Sequence, residues 1–468
     1  MIIQKVKKQH IIESLRFDGS YHLSDGTLYL RKLRKMPHQE LQSLCSDIFT
    51  AGRSKRIYTE KNKGLPYLSN SDVVKGNPLE GCKYNSKKYA FDEPSFLKEG
   101  MIVTGRVGAI GQTAYITSEL EDNQAMGSDN IIRVVCKEKN ISGYVYSFLV
   151  SRYGNTLLNR LAAGGVQPYI SEDMLKDIPI PTLSKEKEQE IHQLIVEASE
   201  LRVEANKLLK ESQRHLFRLL NIDNESEDEL TRPLEREVSN IFSTKRSALS
   251  ANTFRSRNYS PRKQQIINVL KQDQYSKLKE VLSQEPFYGA RYKRIESFSE
   301  NSIMLLSQGD LFDRIPKGRS ISKSSVKNLN EEIVSKGNIL VPAQGTLGEN
   351  EIFGRAVFVW GYLENTLVAG HAMRFIPNEE KIMAGYLFAV LNSPLWFRLF
   401  RNSVYGTNLL GFIVPLINEL PVPRFSNEEE ENIDVLVKTA YDNLTLANSK
   451  ENQAIALIEK EIDLWQVS

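Results

Sequence analysis

The stretch whose spacing comes nearest to a chemical motif is Gly105-Arg106-Val107-Gly108-Ala109-Ile110-Gly111. Glycines at this density cradle phosphates when the loop opens a helix and the helix amides face the ligand. The Walker loop ends in Gly-Lys-Ser/Thr, which is absent here, and the dinucleotide fingerprint needs a following helix and an acid about twenty residues on. This loop leads instead into the β-prone run 113–117, so a tight turn presenting Arg106 to a partner is the better reading. Asn392-Ser393-Pro394-Leu395 partly resembles the Asn/Asp-Pro-Pro-aromatic signature of amino-methyltransferases. It lacks the second proline and the aromatic, and no glycine-rich S-adenosylmethionine loop precedes it. It reads as a proline kink in a core helix.

His10, His22, His38, His192, His215 and His371 form no i, i+4 pair, and none has metal-ligand spacing to a cysteine or carboxylate. Cys45, Cys82 and Cys136 are far apart in the sequence and read as free thiols of a reducing compartment. There is no Gly-x-Ser-x-Gly elbow. With no constellation of nucleophile, base and orienting group, the residues point to binding and assembly rather than catalysis.

The remaining chemistry is that of charged, turn-rich segments. Lysine and arginine neutralise phosphates, while arginine, asparagine and glutamine read base edges. Candidate DNA contacts in the first half are Arg53, Lys55, Arg56, Asn70, Arg106, Gln112 and Gln167. In the second half they are Arg291, Lys293, Arg294, Arg319, Gln344, Thr346 and Asn408, with Lys317 and Lys323 nearby. The net charge of +3 conceals an uneven distribution. Residues 184–220 hold seven basic and seven acidic side chains, and 426–465 hold three basic and ten acidic. The other segments therefore carry about +10, the charge expected of a partner to a polyanion.

The elements that must position these residues are written twice. Gly52, Asp72, Gly100, Gly108, Gly111, Gly143, Ser151 and Pro179 recur as Gly289, Asp310, Gly337, Gly345, Gly348, Gly385, Ser393 and Pro421, at an offset of 237 drifting to 242. Each half runs in one order. An aromatic anchor (Phe17 and Tyr21, then Phe254 and Tyr259) precedes a short amphipathic stretch near Leu41, then near Leu278. A Gly/basic segment and a Ser/polar/Asp turn follow. Next come a strand, a Gly-x-x-Gly turn and a second strand, at 100–117 and 337–360, which predict a mixed or antiparallel sheet. A helix is expected over 142–161 and 382–400, then a polar glycine loop and an Ile-Pro-Ile-Pro or Leu-Pro-Val-Pro exit.

A long helix closes each half. Ser184 and Ser426 suit its N-cap, with acidic residues in the first turn. Near-heptad apolar residues run from Ile191 to Leu219 and from Ile433 to Trp465. Neither helix would be stable alone in water, so each is expected to pair with the other as an antiparallel coiled coil. Asp223–Glu229 reads as an acidic loop.

At 468 residues and 41% hydrophobic the chain is an ordinary globular protein of several domains. The first ten residues hold three lysines and no apolar segment, which predicts no secretory signal and a cytoplasmic protein. The apolar run 382–400 contains Asn392, Pro394 and Arg398, and reads as core rather than membrane.

In this order and spacing the chain resembles the DNA-specificity (S) subunit of type I restriction–modification enzymes. The resemblance rests on Gly100–Gly111, Gly164–Ser171 and Ile178–Gln189, with second copies at Gly337–Gly348 and Leu420–Glu431. It implies an α+β chain of two similar target-recognition domains, 1–183 and 238–425, built of mixed sheets with helices. These would be joined with pseudo-two-fold symmetry by two long antiparallel helices, the first with its connector in 184–237 (helix 184–220) and the second in 426–468 (helix 426–465). It implies that each domain reads one half of a bipartite double-stranded DNA site. The helices would dock two methyltransferase (M) subunits, and restriction (R) subunits could join. This chain would be non-catalytic and bind no cofactor, with S-adenosylmethionine, ATP and Mg2+ on the partners. The second copy departs from the first at Pro342-Ala343-Gln344 and Thr407-Asn408-Leu409-Leu410, as expected if the halves read different DNA. The alternatives are a partner of a fused or stand-alone methyltransferase and, in another class, a coiled-coil scaffold with two protein-binding heads.

Overall fold

The computed structural model describes residues 5–14, 17, 19–22, 24–53, 55–88, 92–108, 110–162, 168–233, 241–290 and 293–465. It is a mixed α+β chain that divides into two compact units. Met1–Val203 with Leu446–Ser468 form the first, and Glu204–Thr445 the second.

In the first unit the β-branched run after Gly100 becomes an inner strand. Four antiparallel strands lie in the order Cys45–Thr50, Ile131–Cys136, Ile102–Gly105, Thr113–Tyr115. Successive side chains of a strand point to opposite faces. Ile102 accordingly joins a core with Tyr144, Phe148 and Ile180, while Val103 joins another with Leu68, Val73 and Ala114. A second sheet, Tyr58–Thr59, Lys83–Ser86, Gly64–Leu68 and Met126–Gly127, is mixed, its last pair being parallel. The first, antiparallel sheet carries Cys45 opposite Cys136, so two cysteines distant in sequence are cross-strand neighbours, both free and buried.

The second unit repeats the plan. Phe287–Tyr288, Ala372–Phe375, Ile339–Pro342 and Val357–Phe358 form the antiparallel sheet. Arg319–Ser322, Ser302–Leu306 and Leu367–Val368 form the mixed one, again with its last pair parallel. The exit segments pair alike, His38–Glu40 with Pro179–Pro181 and Tyr275–Lys277 with Pro421–Pro423.

Three expectations about helices change. Residues 142–161 and 382–400 each form two helices: Ser142–Val150 then Arg152–Leu161, and Ala384–Leu391 then Pro394–Arg401. Ser151 and Ser393 cap the second member, accepting from Gly154 N at 3.2 Å and Trp396 N at 3.3 Å. Pro394 therefore starts a helix, where its missing N–H is harmless, and does not kink one. Among the described residues no helix is long and apolar enough to cross a membrane. The acidic run after Asp223 is a helix, Asn224–Thr231, because the Asp223 side chain accepts from Ser226 N at 2.8 Å and the acids that follow suit the helix N-terminus. The aromatic anchors are the tyrosines alone. Phe17 and Phe254 are 86% and 81% exposed, whereas Tyr21 lies under Arg160 and the Tyr259 hydroxyl donates to Thr253 O.

The long helices are Lys185–Leu219 and Asn427–Leu464. In the first unit, Ile191 and Ile195 share a core with Ala454, Ile458 and Ile462, and buried Arg202 pairs with Glu451 at 2.6 Å and Asn448 at 2.8 Å. In the second unit, Leu216 and Phe217 share a core with Ile433 and Val437, and His215 meets Glu429 at 2.6 Å. Each unit ties its sheet to a helix segment in the same way. Gly143 N donates to His192 Nδ1 at 3.0 Å, and Gly385 N to Asp434 Oδ1 at 2.8 Å. A Cβ on Gly143 would sit 2.8 Å from the His192 carbonyl oxygen, and one on Gly385 2.7 Å from Asp434 Oδ1, so this close approach requires glycine.

Candidate nucleic-acid interface

The Gly105–Gly111 loop leaves the central strand of the first unit and is held by side-chain amides. Asn70 Nδ2 donates to Val107 O at 3.0 Å, and Asn155 Nδ2 to Gly111 O at 2.8 Å. Arg106 N donates to Asn130 O at 2.9 Å, and Ile170 N to Arg106 O at 2.9 Å. Gly108 and Gly111 have φ of +77° and +81°, conformations that L side chains rarely adopt. Arg106 is half-buried, and its Nε has no hydrogen-bond partner. Burial alone would raise the Glu172 carboxyl, but the Thr50 hydroxyl and the charge of Arg106 outweigh it and hold the pKa below its ordinary value.

Beside this loop the basic segment is pinned from below by one carboxylate. Asp129 is buried and pairs with Arg53 at 3.5 Å and with Arg56. It lies on a turn organised by Arg133, whose guanidinium is wholly buried and donates to Gly127 O, Ser128 O, Ile131 O and Ser95 O. Burial lowers the Arg133 pKa to about 10, which leaves it charged at neutral pH. Arg56 also lies over the Tyr67 ring, Tyr67 meets Tyr58 edge-on at 6.2 Å, and Lys83 sits 4.7 Å over Tyr58. Tyr67 is buried and backs Arg56, while exposed Tyr58 and Lys83 lie beside it, so the surface offers cations for phosphates and one ring for a base.

The structure thus brings Arg53, Arg56, Asn70 and Arg106 together around residues 107 and 129–130. Lys55 and Gln112 are exposed on the same segments, with their carbonyls bonded to Asn85 Nδ2 and Gly105 N. Gln167 lies outside the described residues.

In the second unit Gln308 takes the place of Asn70. Its Nε2 donates to Gln344 O at 2.9 Å, the counterpart of the Asn70–Val107 bond. The amide oxygens of both side chains, Asn70 Oδ1 and Gln308 Oε1, are buried without a hydrogen-bond partner. The preceding turns are also alike: Ser69 N meets Asp72 Oδ2 at 3.0 Å and Ser307 N meets Asp310 Oδ2 at 2.7 Å. The loop itself differs. Gln344–Gly345 is a short strand paired with Leu410–Phe412, which pairs in turn with Val404–Tyr405. This small sheet groups Gln344, exposed Thr346 and exposed Asn408. Gly345 and Gly348 do not adopt the positive φ of their counterparts, so the shared glycines here mark a repeat in sequence and not in conformation. Arg398 holds Glu349 through two 2.7 Å bonds, and buried Arg401 donates to Leu347 O, Gly348 O, Glu351 O and Phe353 O.

Arg294 and Arg319 converge with Lys317 on a cleft of about 370 Å³ that also includes Ser307 and Asp310. Lys293 is exposed beside them, and Arg291 lies outside the described residues. Arg374, matching Arg133, is buried against Glu332 at 3.2 Å, and Glu332 accepts from Ala290 N at the base of the basic segment. Among the described residues no group of His, Cys, Asp and Glu is placed to hold a metal ion.

The sequence reading missed Tyr58, Lys83, Asp129 and Gln308. Gln308 was recoverable as the repeat partner of Asn70. Asp129 had no local signal, because its role depends on a turn folded around Arg133.

No curated protein matches the chain. Solved structures similar to it include three that each align with 92% of this chain. The S subunit of a type I restriction–modification system from M. genitalium is 14% identical, over 92% of its own length, with a TM-score of 0.32. The HsdS subunit from Thermoanaerobacter tengcongensis is 12% identical, over 96% of its length, with a TM-score of 0.26. A chain from a structure on complex assembly and conformational transition of the type I R-M system is 13% identical, over 97% of its length, with a TM-score of 0.27. Residues 44–211 match the family model of the type I restriction modification DNA specificity domain. What the match shows is therefore a likeness to this DNA specificity domain over 168 of the 468 residues, all in the first half of the chain.

Proposed function

We propose that this chain is the non-catalytic specificity subunit of a type I restriction–modification complex in the cytoplasm. Each unit reads one half of a bipartite duplex site. The first uses Arg53, Lys55, Arg56, Arg106, Gln112 and Gln167, and the second uses Arg291, Lys293, Arg294, Arg319, Gln344, Thr346 and Asn408. The long helices pair as an antiparallel coiled coil that sets the gap between half-sites and docks two methyltransferase subunits. Restriction subunits join that assembly. S-adenosylmethionine, ATP and Mg2+ are bound by the partners, and this chain supplies sequence recognition.

The observation that carries the reading is the recurrence, in the second unit, of the contacts that build the matched domain. The amide-to-carbonyl bond, the Ser/Asp turn and the buried arginine under the basic segment all return. The loops that would touch DNA differ, which suits an asymmetric site. Phosphate contacts by the basic clusters would make binding steeply salt-dependent. Selection from random duplexes, with the full chain and its methyltransferase at moderate salt, should enrich two short fixed blocks separated by a gap of constant length. Recovery of unenriched duplexes would sink the proposal.

A further inference from the structure

We propose that a basic cleft in the first unit, lined by residues other than those of the reading loop, is a phosphate-binding site that takes phosphodiester groups of the duplex flanking the half-site. The phosphate chemistry stands on the cleft alone, and its DNA source rests on the function proposed above.

The cleft has a volume of about 720 Å³ and lies where the helices Asp25–Leu33 and Arg152–Leu161 pack side by side. That is within the size range of small-ligand sites and larger than a single inorganic phosphate needs. Arg31 and Arg34 are three residues apart, hence on one helical face, and Lys35 follows in the turn. Lys7 and Arg160 reach the same cleft from other parts of the unit. Asp177 is the single carboxylate among the described lining residues.

Basic residues at a helix C-terminus ordinarily complement the helix dipole. That accounts for Arg31, Arg34 and Lys35 one at a time, but not for two further cations converging on them. Lys7, Arg31, Arg34 and Lys35 form no ion pair with any described residue. Like charges gathered in a concave, partly desolvated place repel, and an anion between them relieves that cost. Arg160 is already set for such a ligand. Its guanidinium stacks 3.8 Å over the Tyr21 ring, and its Nε donates to Thr27 Oγ1 at 3.1 Å. A guanidinium fixed in this way loses little freedom when it binds phosphate.

The cleft is also connected to the reading loop. The helix that carries Arg160 holds Gly111 O through Asn155, whose Oδ1 accepts from Asn159 Nδ2 at 3.0 Å. Backbone entering the cleft would therefore run beside the loop. In the second unit the residue matching Arg160 is Asn402, wholly buried, with its carbonyl bonded to Asn258 Nδ2 at 2.9 Å. The extra hold falls on one half-site.

The test compares the full-length chain with the triple variant Arg31→Ala/Arg34→Ala/Lys35→Ala, and with Arg34→Glu alone. Arg34 and Lys35 are exposed, so folding is checked simply by circular dichroism. Each lost phosphate contact reduces the slope of log affinity against log salt by about 0.9. For a duplex with flanking base pairs, the slope of the triple variant should fall by about 2–3. Its preference for specific over scrambled sequence should stay unchanged, and a duplex trimmed of its flank should erase the difference. In parallel, the DNA-free proteins are titrated with ATP and with inorganic phosphate. ATP bound by the wild type and lost in the variant, with an unchanged DNA slope, would keep the phosphate site and overturn its DNA source. No change in either arm overturns the site. A changed slope in a wild type with no sequence preference would keep the site and defeat the proposed function.

Discussion

Asn70 and Gln308 have side chains of different length yet make one contact, a donation to the carbonyl of residue 107 or 344. Asn70 was expected to touch DNA, but its nitrogen is already bonded to the main chain. In the proposed function it positions Arg106 rather than reading a base. Asn70→Asp replaces the donor with a carboxylate facing a carbonyl oxygen, at a cost of about 1–2 kcal/mol. Affinity for the half-site of the first unit should fall about tenfold, with the salt slope unchanged because no phosphate contact is lost. Asn70→Gln, which imitates Gln308, should restore most of it. Anisotropy titrations over a salt series check both, and a changed base preference at full affinity would mark Asn70 as a base contact after all. At this scale the sequence showed which residue types were present but not what held them. Arg133 and Asp129 look like any other charges until the fold buries both and aims Asp129 at Arg53 and Arg56.

Elements were more legible, for physical reasons that differ between them. The long helices announce themselves because an apolar stripe at near-heptad spacing is a global signal, and their observed ends lie within one residue of the expected ones. The breaks at Ser151 and Ser393 went unread because an apolar stripe continues across them, while the cap is a local hydrogen bond. Two buried charges test the packing of these elements. Burial lowers the Lys263 pKa to about 8 from 10.5. The unfolded chain then binds more protons between those values, so stability rises with pH across pH 8–10.5, and below pH 8 the whole penalty is present. Lys263→Met should therefore raise the melting temperature at pH 7, by the equivalent of about 1–3 kcal/mol, and the gain should vanish by pH 11. A gain that persists there would mean that packing, not charge, was the cause. In the first unit, Glu451 pairs with Arg202 and accepts from the Tyr146 hydroxyl. Glu451→Leu strands a buried arginine and should cost about 3–5 kcal/mol in denaturant unfolding, with much of it recovered by adding Arg202→Met.

At the scale of the whole molecule the duplication was the strongest signal, and the structure divides it into two kinds. Contacts that make the frame recur almost unchanged: Tyr144 and Tyr386 donate to Pro181 O and Pro423 O at 2.6 and 2.7 Å, and both central sheets share one strand order. Contacts that present side chains do not recur. The first loop is a glycine turn held by asparagines, and the second is a three-stranded sheet backed by arginines. A duplicated frame with two unlike reading surfaces fits a site whose halves differ in sequence. Methylation-aware sequencing of the source genome, with the gene intact and with it deleted, tests this most directly. The account predicts one split, non-palindromic motif with a fixed gap, methylated in the intact strain and lost in the deletion. A continuous motif, or methylation indifferent to the deletion, would contradict it.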